Sequence, residues 1–318
     1  MRILITGMSG FAGSHLADLL LKETHWSLTG VARNANGDRN SSRVQWWQLD
    51  LADADGVTRL MKTERPDVIV HLAAQSSVPA SWKDPWATYQ DNILCQLNLF
   101  RAIIETKLTP RILIISSNEV YGRPTTPAEL PYREDHPLRP NNPYAVSKAT
   151  QDLMALQYHI SHGLDVIVAR SFNHVGPSQN AKFVMADFAH QIAQIEQGLC
   201  EPAMHLGNMA AQRDFTDVRD VAHAYLALIK GGDGGQVYNV CSGTPRSIQS
   251  VLDLMLSLST VHITQDNDPA KFRPVDTPIS FGDYAKLKAT TGWEPQIKFE
   301  QTVMDLLDHW RSVVKANK

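Results

Sequence analysis

Residues 1–13 read MRILITGMSGFAG, and this stretch decides the fold. Its first half is a short apolar run, and the glycines that follow open an amphipathic stretch. A strand, a glycine-rich loop and a helix in this order are typical of dinucleotide-binding folds. Gly7 permits the tight turn, Gly10 lets backbone N–H groups approach a pyrophosphate, and Gly13 lets helix and strand pack closely. The residues predicted to contact the dinucleotide here are Gly7, Gly10, Phe11, Ala12 and Gly13.

Short apolar runs alternate with longer amphipathic stretches through the first half of the chain. The predicted strands are Arg2–Thr6, Ser27–Ala32, Val44–Leu49, Asp67–Leu72, Arg111–Ser116 and Asp165–Arg170. The run Ile112–Ile115 is apolar without alternation, as a strand covered on both faces requires. The pattern therefore predicts an α/β fold with a doubly wound parallel sheet, the Rossmann architecture.

The alternation loosens after Arg170, where we expect a second, smaller α/β region that binds the substrate. Helices are predicted at about 180–198, 218–230, 247–257 and 300–314, and a further strand at Gln236–Cys241. The predicted Rossmann domain comprises residues 1–170 with about 214–242, and the substrate-binding domain about 171–213 with 243–318.

The composition excludes several classes of protein. Thirty basic and 33 acidic side chains leave a net charge of −3, so no electrostatic footprint for nucleic acid exists. The three cysteines are far apart, which predicts neither a disulfide framework nor a metal site. No apolar run approaches the roughly 18 residues of a membrane span, and the first apolar run is too short for a signal peptide. A cytoplasmic protein is expected.

Arg33 stands about 20 residues past Gly13, where an NAD site usually carries an acid for the ribose 2′-hydroxyl. A guanidinium pairs with a 2′-phosphate, so NADP(H) is favoured over NAD(H), with Asn34 beside it. The alternative is that Arg33 points to water. Asp50 and Leu51, which end the third strand, are expected to meet the adenine.

Tyr144 and Lys148 lie four residues apart after the helix-starting pair Asn142-Pro143, so they share one helix face. A nearby ammonium and the positive helix end stabilise phenolate, so we expect a lowered pKa for Tyr144. Ser117 closes the fifth strand, at the edge where ligands of such sheets bind. Ser, Tyr and Lys together predict a hydride-transfer site whose proton partner is the phenol. A surface tyrosine over a lysine stem is the alternative.

Motifs along nearly the whole chain resemble those of the extended short-chain dehydrogenase/reductase family that acts on nucleotide sugars. They are the GxxGxxG loop, HLAAQSSV (71–78), SSNEVYG (116–122), YAVSK (144–148), RSFNHVGP (170–177), GNMAAQRDFTDVRD (207–220), YNVCSG (238–243) and FRPVD (272–276). The FNH and RDF segments are similar to those of the branch that acts on GDP-mannose. The resemblance implies a GDP-linked sugar as substrate, and a homodimer paired through helices 91–105 and 144–162.

The resemblance also implies a role for individual residues. It makes Ser117, Tyr144, Lys148 and Glu119 catalytic. Further cofactor contacts would come from Leu72, Ala73, Ala74, Asn92, Tyr144 and Lys148. Substrate contacts would come from Ser77, Ser117, Asn118, Asn173, Phe183, Val184, Arg213 and Arg273. No metal is expected.

The expected reaction is reduction by NADPH of the C4 ketone of a GDP-linked 4-keto-6-deoxy hexose, with Tyr144 as proton donor. The related 4,6-dehydratases typically carry Thr, then Asp or Ser, then Glu, where this chain has Ser117, Asn118 and Glu119. Asn118 cannot transfer a proton, which disfavours water elimination, whereas Glu119 leaves it open. The alternatives are therefore a GDP-mannose 4,6-dehydratase or an epimerase that recycles bound NADP, and a non-catalytic NADP(H)-binding protein.

Overall fold

The structure, a computed structural model, describes residues 1–34, 41–268 and 277–316. Its strands are β1 Arg2–Thr6, β2 Ser27–Ala32, β3 Val44–Gln48, β4 Val68–His71, β5 Arg111–Ser117, β6 Asp165–Ser171, β7 Asn173–Val175, β8 Ala203–Leu206, β9 Gln212–Asp217, β10 Val237–Val240, β11 Pro245–Ser247, β12 Thr264–Asn267 and β13 Ile279–Ser280. Its α-helices are α1 Phe11–Glu23, α2 Ala54–Glu64, α3 Val78–Lys83, α4 Pro85–Tyr89, α5 Cys95–Thr106, α6 Pro143–His162, α7 Val184–Glu196, α8 Val218–Gly231, α9 Ile248–Ser257, α10 Ala285–Thr291 and α11 Phe299–Ala316.

Seven strands form one parallel sheet in the order β10-β6-β5-β4-β1-β2-β3. The predicted doubly wound α/β fold is therefore confirmed. The first two predicted strands agree with β1 and β2 at both ends, and the others differ by about one residue at an end. Such differences are expected because strand ends fray where the ladder of hydrogen bonds stops.

Both faces of this sheet are buried under helices, which explains its uninterrupted apolar strands. On β4, Val70 packs into the apolar cluster that contains residues of α1 and α8. Its neighbour Ile69 packs into the opposite cluster, with residues of α2 and α5. Because successive side chains of a strand point to opposite faces, both must be apolar.

The smaller region contains a second sheet and a core of its own. Strand β9 pairs with β11, β13 and β7, and β8 pairs with β12. The apolar side chains of α7, α9 and α11 pack with Phe215 of β9. Strand β10 lies in the large sheet, as the predicted domain division expects. Strand β9 spans the predicted boundary at 213/214, and all of it lies in the small sheet. The domain boundaries themselves stay a prediction.

The parallel sheet brings the predicted site residues to one edge. All seven strands end there, so the loops after β1, β2, β4 and β5 are neighbours. Ligands of open α/β sheets bind at this carboxyl edge. Within the described residues, no helix is both long enough and apolar enough to span a lipid bilayer.

Candidate active site

The glycine loop after β1 is packed too closely for larger residues. Gly7 has a φ of +70°, and a Cβ there would lie 2.8 Å from the backbone nitrogen of Ala73. A Cβ on Gly13 would lie 2.3 Å from the carbonyl oxygen of Gly7. Helix α1 begins after Gly10, and none of the described side chains caps it, so its first N–H groups can donate to a ligand. The close packing and the helix start are the features that a pyrophosphate site requires, and the contacts of this loop with a dinucleotide stay predictions.

Arg33 directly follows β2, at the corner where the adenosine ribose of a dinucleotide is expected. Its guanidinium is largely exposed, and Nη1 lies 3.5 Å from both carboxylate oxygens of Asp91. Asn34 and Asp50 are exposed at the same edge, and Leu51 is buried. Their contacts with a cofactor stay predictions, and the Asp91 carboxylate is a neighbour that the motif does not reveal.

Asn92 is buried and holds the loop after β4 against α6. Its amide nitrogen donates to the Gln75 carbonyl at 3.0 Å and to Ser147 Oγ at 2.8 Å, while its oxygen accepts from Gln75 N at 2.7 Å. The residues Leu72, Ala73 and Ala74 of this loop follow β4 beside Gly7. The structure therefore gives Asn92 a role in fixing the loop, and a direct cofactor contact for it stays a prediction.

The catalytic trio predicted from the sequence converges at the end of β5. Asn142 caps α6 by accepting from Ala145 N at 2.8 Å, and this sets Tyr144 and Lys148 one turn apart. Both side chains are buried. The Ser117 side chain lies close enough to the Tyr144 phenol to lower its pKa, and Lys148 Nζ donates to the backbone carbonyl of Ile115 on β5 at 2.8 Å.

The expected lowering of the Tyr144 pKa is wrong for the protein without ligands. Burial raises the pKa of Tyr144 to about 12, the nearby Ser117 hydroxyl opposes that rise, and the Glu119 charge adds to it. Burial also lowers the pKa of Lys148 to about 8, against the opposing charge of Asp152. At neutral pH the phenol is therefore protonated and the ammonium charged. A protonated phenol is a proton donor.

Glu119 and Asn118 point to different partners. Glu119 Oε2 accepts from Asn142 Nδ2 at 3.0 Å, next to the start of α6. Asn118 is buried, and its Nδ2 donates to Ser280 Oγ of β13 at 3.0 Å. Asn118 thus ties the end of β5 to the small sheet, and a substrate contact for it stays a prediction.

A buried ion pair joins α6 to β6, and the sequence motifs do not predict it. Asp152 lies one turn after Lys148, and its Oδ2 accepts from Arg170 Nε at 2.7 Å. Arg170 Nη1 also donates to the Tyr121 hydroxyl at 3.1 Å. The spacing of four residues indicates that Asp152 lies beside Lys148 on α6, whereas its pairing with Arg170, 18 residues away, depends on the assembled fold.

The predicted substrate residues lie on several elements. Ser77 caps α3, Asn173 begins β7, and Phe183 is exposed just before Val184 starts α7. Arg213 on β9 donates to the carbonyl of Thr277 at 2.6 Å, and Arg273 lies outside the described residues. These contacts with substrate also stay predictions.

An aromatic contact connects the glycine loop with β7. The Phe11 ring stacks on His174 at a centroid distance of 5.8 Å and an interplanar angle of 7°. His174 directly follows Asn173 on β7. The predicted cofactor loop and the strand predicted to contact substrate are therefore in direct contact.

The fold and this site define a class of enzyme. The family model described as GDP-mannose 4,6 dehydratase matches residues 4–306, so the chain belongs to that family. The chain is similar to GDP-6-deoxy-D-mannose reductase of Pseudomonas aeruginosa, with 39% identity over 315 residues that cover 99% of this chain and 98% of the relative. GDP-mannose 4,6-dehydratase of Vibrio cholerae is 26% identical, covering 96% of this chain and 92% of the relative.

Solved structures give the same result for the fold. RMD of P. aeruginosa, complexed with NADPH, has a TM-score of 0.87 and 37% identity over 98% of this chain and 99% of its own. UDP-glucose 4-epimerase of Thermus thermophilus, complexed with NAD, has a TM-score of 0.87 and 30% identity over the same shares. The predicted membership of the extended short-chain dehydrogenase/reductases and the predicted enzyme class, a nicotinamide-dependent oxidoreductase, are confirmed.

Proposed function

We propose that this enzyme reduces the C4 ketone of GDP-4-keto-6-deoxy-D-mannose with NADPH and yields GDP-D-rhamnose. The observation that carries the proposal is the 39% identity with GDP-6-deoxy-D-mannose reductase over almost the full length of both chains. The buried, protonated phenol of Tyr144 supports it, because a reduction needs an acid beside the carbonyl oxygen.

The side chains of the site divide the work of the reduction. The glycine loop would hold the pyrophosphate, and Lys148 the nicotinamide ribose. When bound, NADPH supplies the hydride that forms the new C–H bond at C4. Tyr144 gives its hydroxyl proton to the ketone oxygen, and Ser117, whose side chain lies near that phenol, stabilises the oxygen as negative charge develops on it.

A GDP-mannose 4,6-dehydratase is the second candidate, and the retained Glu119 carboxylate favours it. In a dehydratase this carboxylate would act as an additional acid or base. In the structure Glu119 accepts a hydrogen bond from Asn142, the cap of α6. We therefore expect Glu119→Gln, which keeps an acceptor for Asn142, to retain ketone reduction within about tenfold.

Substrate consumption separates the two candidates. A reductase incubated with NADPH and the GDP-linked keto sugar consumes one NADPH for each ketone reduced. A dehydratase instead converts GDP-mannose to the keto sugar with catalytic NADP and no net loss of NADPH. Ketone formation from GDP-mannose, without NADPH consumption on the keto sugar, would overturn the proposal. A panel of GDP- and dTDP-linked keto sugars tests the choice of nucleotide.

We also propose that the enzyme is a homodimer paired through α5 and α6. Three large apolar side chains at intervals of seven residues on α6 support this: Val146 is 37% exposed, Leu153 61% and Ile160 83%. Seven residues are nearly two helical turns, so the three form one apolar stripe. Water contact with such a stripe is unfavourable, and a second copy would cover it. A cytoplasmic location stays a prediction that cell fractionation tests.

A further inference from the structure

Two oppositely charged side chains share the corner where the adenosine ribose is expected. The Arg33 side chain is 65% exposed, and its Nη1 lies 3.5 Å from each carboxylate oxygen of Asp91, which is 32% exposed. A guanidinium there attracts a 2′-phosphate, whereas a carboxylate repels it. Arg33 therefore favours NADP(H), which carries the 2′-phosphate, and Asp91 disfavours it.

The carboxylate of Asp91 is held in place more firmly than the guanidinium. Asp91 lies in the π-helical turn Gln90–Leu94 between α4 and α5, and the next residue, Asn92, is fully buried in hydrogen bonds to two other segments. Arg33 follows the end of β2 and is mostly in water. A 2′-phosphate that binds here can therefore reorient the Arg33 guanidinium, whereas the Asp91 carboxylate stays in place and repels the phosphate.

Among the described residues, two carboxylates and one guanidinium act on the buried thiol of Cys95, four residues after Asp91. Burial raises the pKa of the Cys95 thiol to about 12, and the charges that also act on this thiol are those of Asp91, Asp50 and Arg33. Among the charges that act on this thiol, the two carboxylates outnumber the one guanidinium. A neutral ribose hydroxyl is not repelled by this balance, whereas a dianionic phosphate is.

We propose that Asp91 is a specificity-determining residue that weakens the preference for a 2′-phosphate set by Arg33, so that the enzyme binds NAD(H) as well as NADP(H). The inference rests on the proposed function only in taking a nicotinamide dinucleotide as the ligand of the glycine loop. Asp91→Asn keeps the side-chain shape and removes the charge. It should tighten NADP⁺ binding about fivefold and change NAD⁺ binding less than twofold.

Calorimetric titration of the ligand-free protein with NADP⁺ and with NAD⁺ tests this directly. Glu105→Gln is the matched control, because it removes the same charge from the far end of α5, 14 residues after Asp91 and so about 20 Å away by the helical rise per residue. That separation exceeds the Debye length of about 10 Å at 0.1 M salt, so the control should leave both dissociation constants unchanged. The gain from Asp91→Asn should disappear in about 1 M salt, where exposed charges are screened.

Arg33→Gln completes the set of variants. It should weaken NADP⁺ binding at least tenfold and leave NAD⁺ binding within about twofold. The proposal is overturned if Asp91→Asn leaves the ratio of the two dissociation constants unchanged or shifts it toward NAD⁺. It is also overturned if Arg33→Gln leaves NADP⁺ binding intact. No sugar is needed in these titrations, so a shifted ratio in a protein that reduces no ketone would refute only the proposed function.

Discussion

Lys148 Nζ donates a 2.8 Å hydrogen bond to the carbonyl oxygen of Ile115, two residues before Ser117 on β5. The ammonium is therefore tied to the strand that presents the hydroxyl partner of Tyr144. Burial makes the charged form of Lys148 less favourable than in water, so its pKa falls to about 8, where a pH profile of activity can detect it.

The pH profile of ketone reduction should show an alkaline decline that belongs to Lys148. Burial lowers the pKa of this ammonium to about 8, so it is charged below that pH and neutral above it. The pKa of Tyr144, about 12, lies too high to account for such a decline. We expect kcat/KM to fall as pH rises through about 8. In Lys148→Arg, whose charge persists, a decline at the same pH would contradict the assignment.

Replacement of Tyr144 by phenylalanine should remove the proton donor and leave the fold intact. We expect kcat to drop by about 10²–10⁴-fold, the usual contribution of a positioned acid. NADPH consumption with the keto sugar measures this, and calorimetric titration with NADPH should give nearly the wild-type dissociation constant. Activity within tenfold of wild type would exclude the phenol as the acid.

Gly13→Ala should destabilise the protein and weaken dinucleotide binding. The new Cβ would lie 2.3 Å from the Gly7 carbonyl oxygen, so helix and loop must move apart, at a cost of about 1–3 kcal/mol. Gly231→Ala is the control, because a Cβ there meets nothing within 4 Å at the end of α8. Urea unfolding should show the control unchanged or more stable by about 0.5 kcal/mol. Equal stabilities for Gly13→Ala and wild type would contradict the packing described here.

Ile160→Glu should convert the proposed dimer to a monomer. The substitution places a charge on the most exposed member of the α6 stripe, where a second copy would have to bury it. Met304→Glu on α11, also at an exposed apolar position, is the control and should not change the mass. Analytical ultracentrifugation measures both. A wild-type mass in Ile160→Glu would exclude α6 as the interface.

The sequence was sufficient for the large sheet because its strands carry the simplest signal, apolar runs such as Ile112–Ile115 closed by glycine or polar residues. It also identified Tyr144, Lys148 and Ser117, since motif spacing fixes which helix face meets which strand end. The pKa of Tyr144 depends on burial by elements distant in the chain, which spacing does not report, and there the prediction failed.

The sequence also did not predict contacts between segments that are distant in the chain. Arg33 and Asp91 are separated by 58 residues, and no local pattern joins them. The bond from Asn118 to Ser280 spans 162 residues and depends on how β13 packs on the end of β5. Local patterns predict elements and their faces, whereas such pairs depend on the assembled tertiary structure.

The Phe11–His174 stack limits which mutations can change the sugar preference of this enzyme. Phe11 belongs to the loop that would bind the dinucleotide. His174 lies beside Asn173, which is predicted to contact the nucleotide sugar. A mutation that repositions either ring disturbs both pockets at once. New sugar preferences are therefore more accessible through side chains that are not part of this stack, such as the exposed Phe183 just before α7, than through the strand that carries His174.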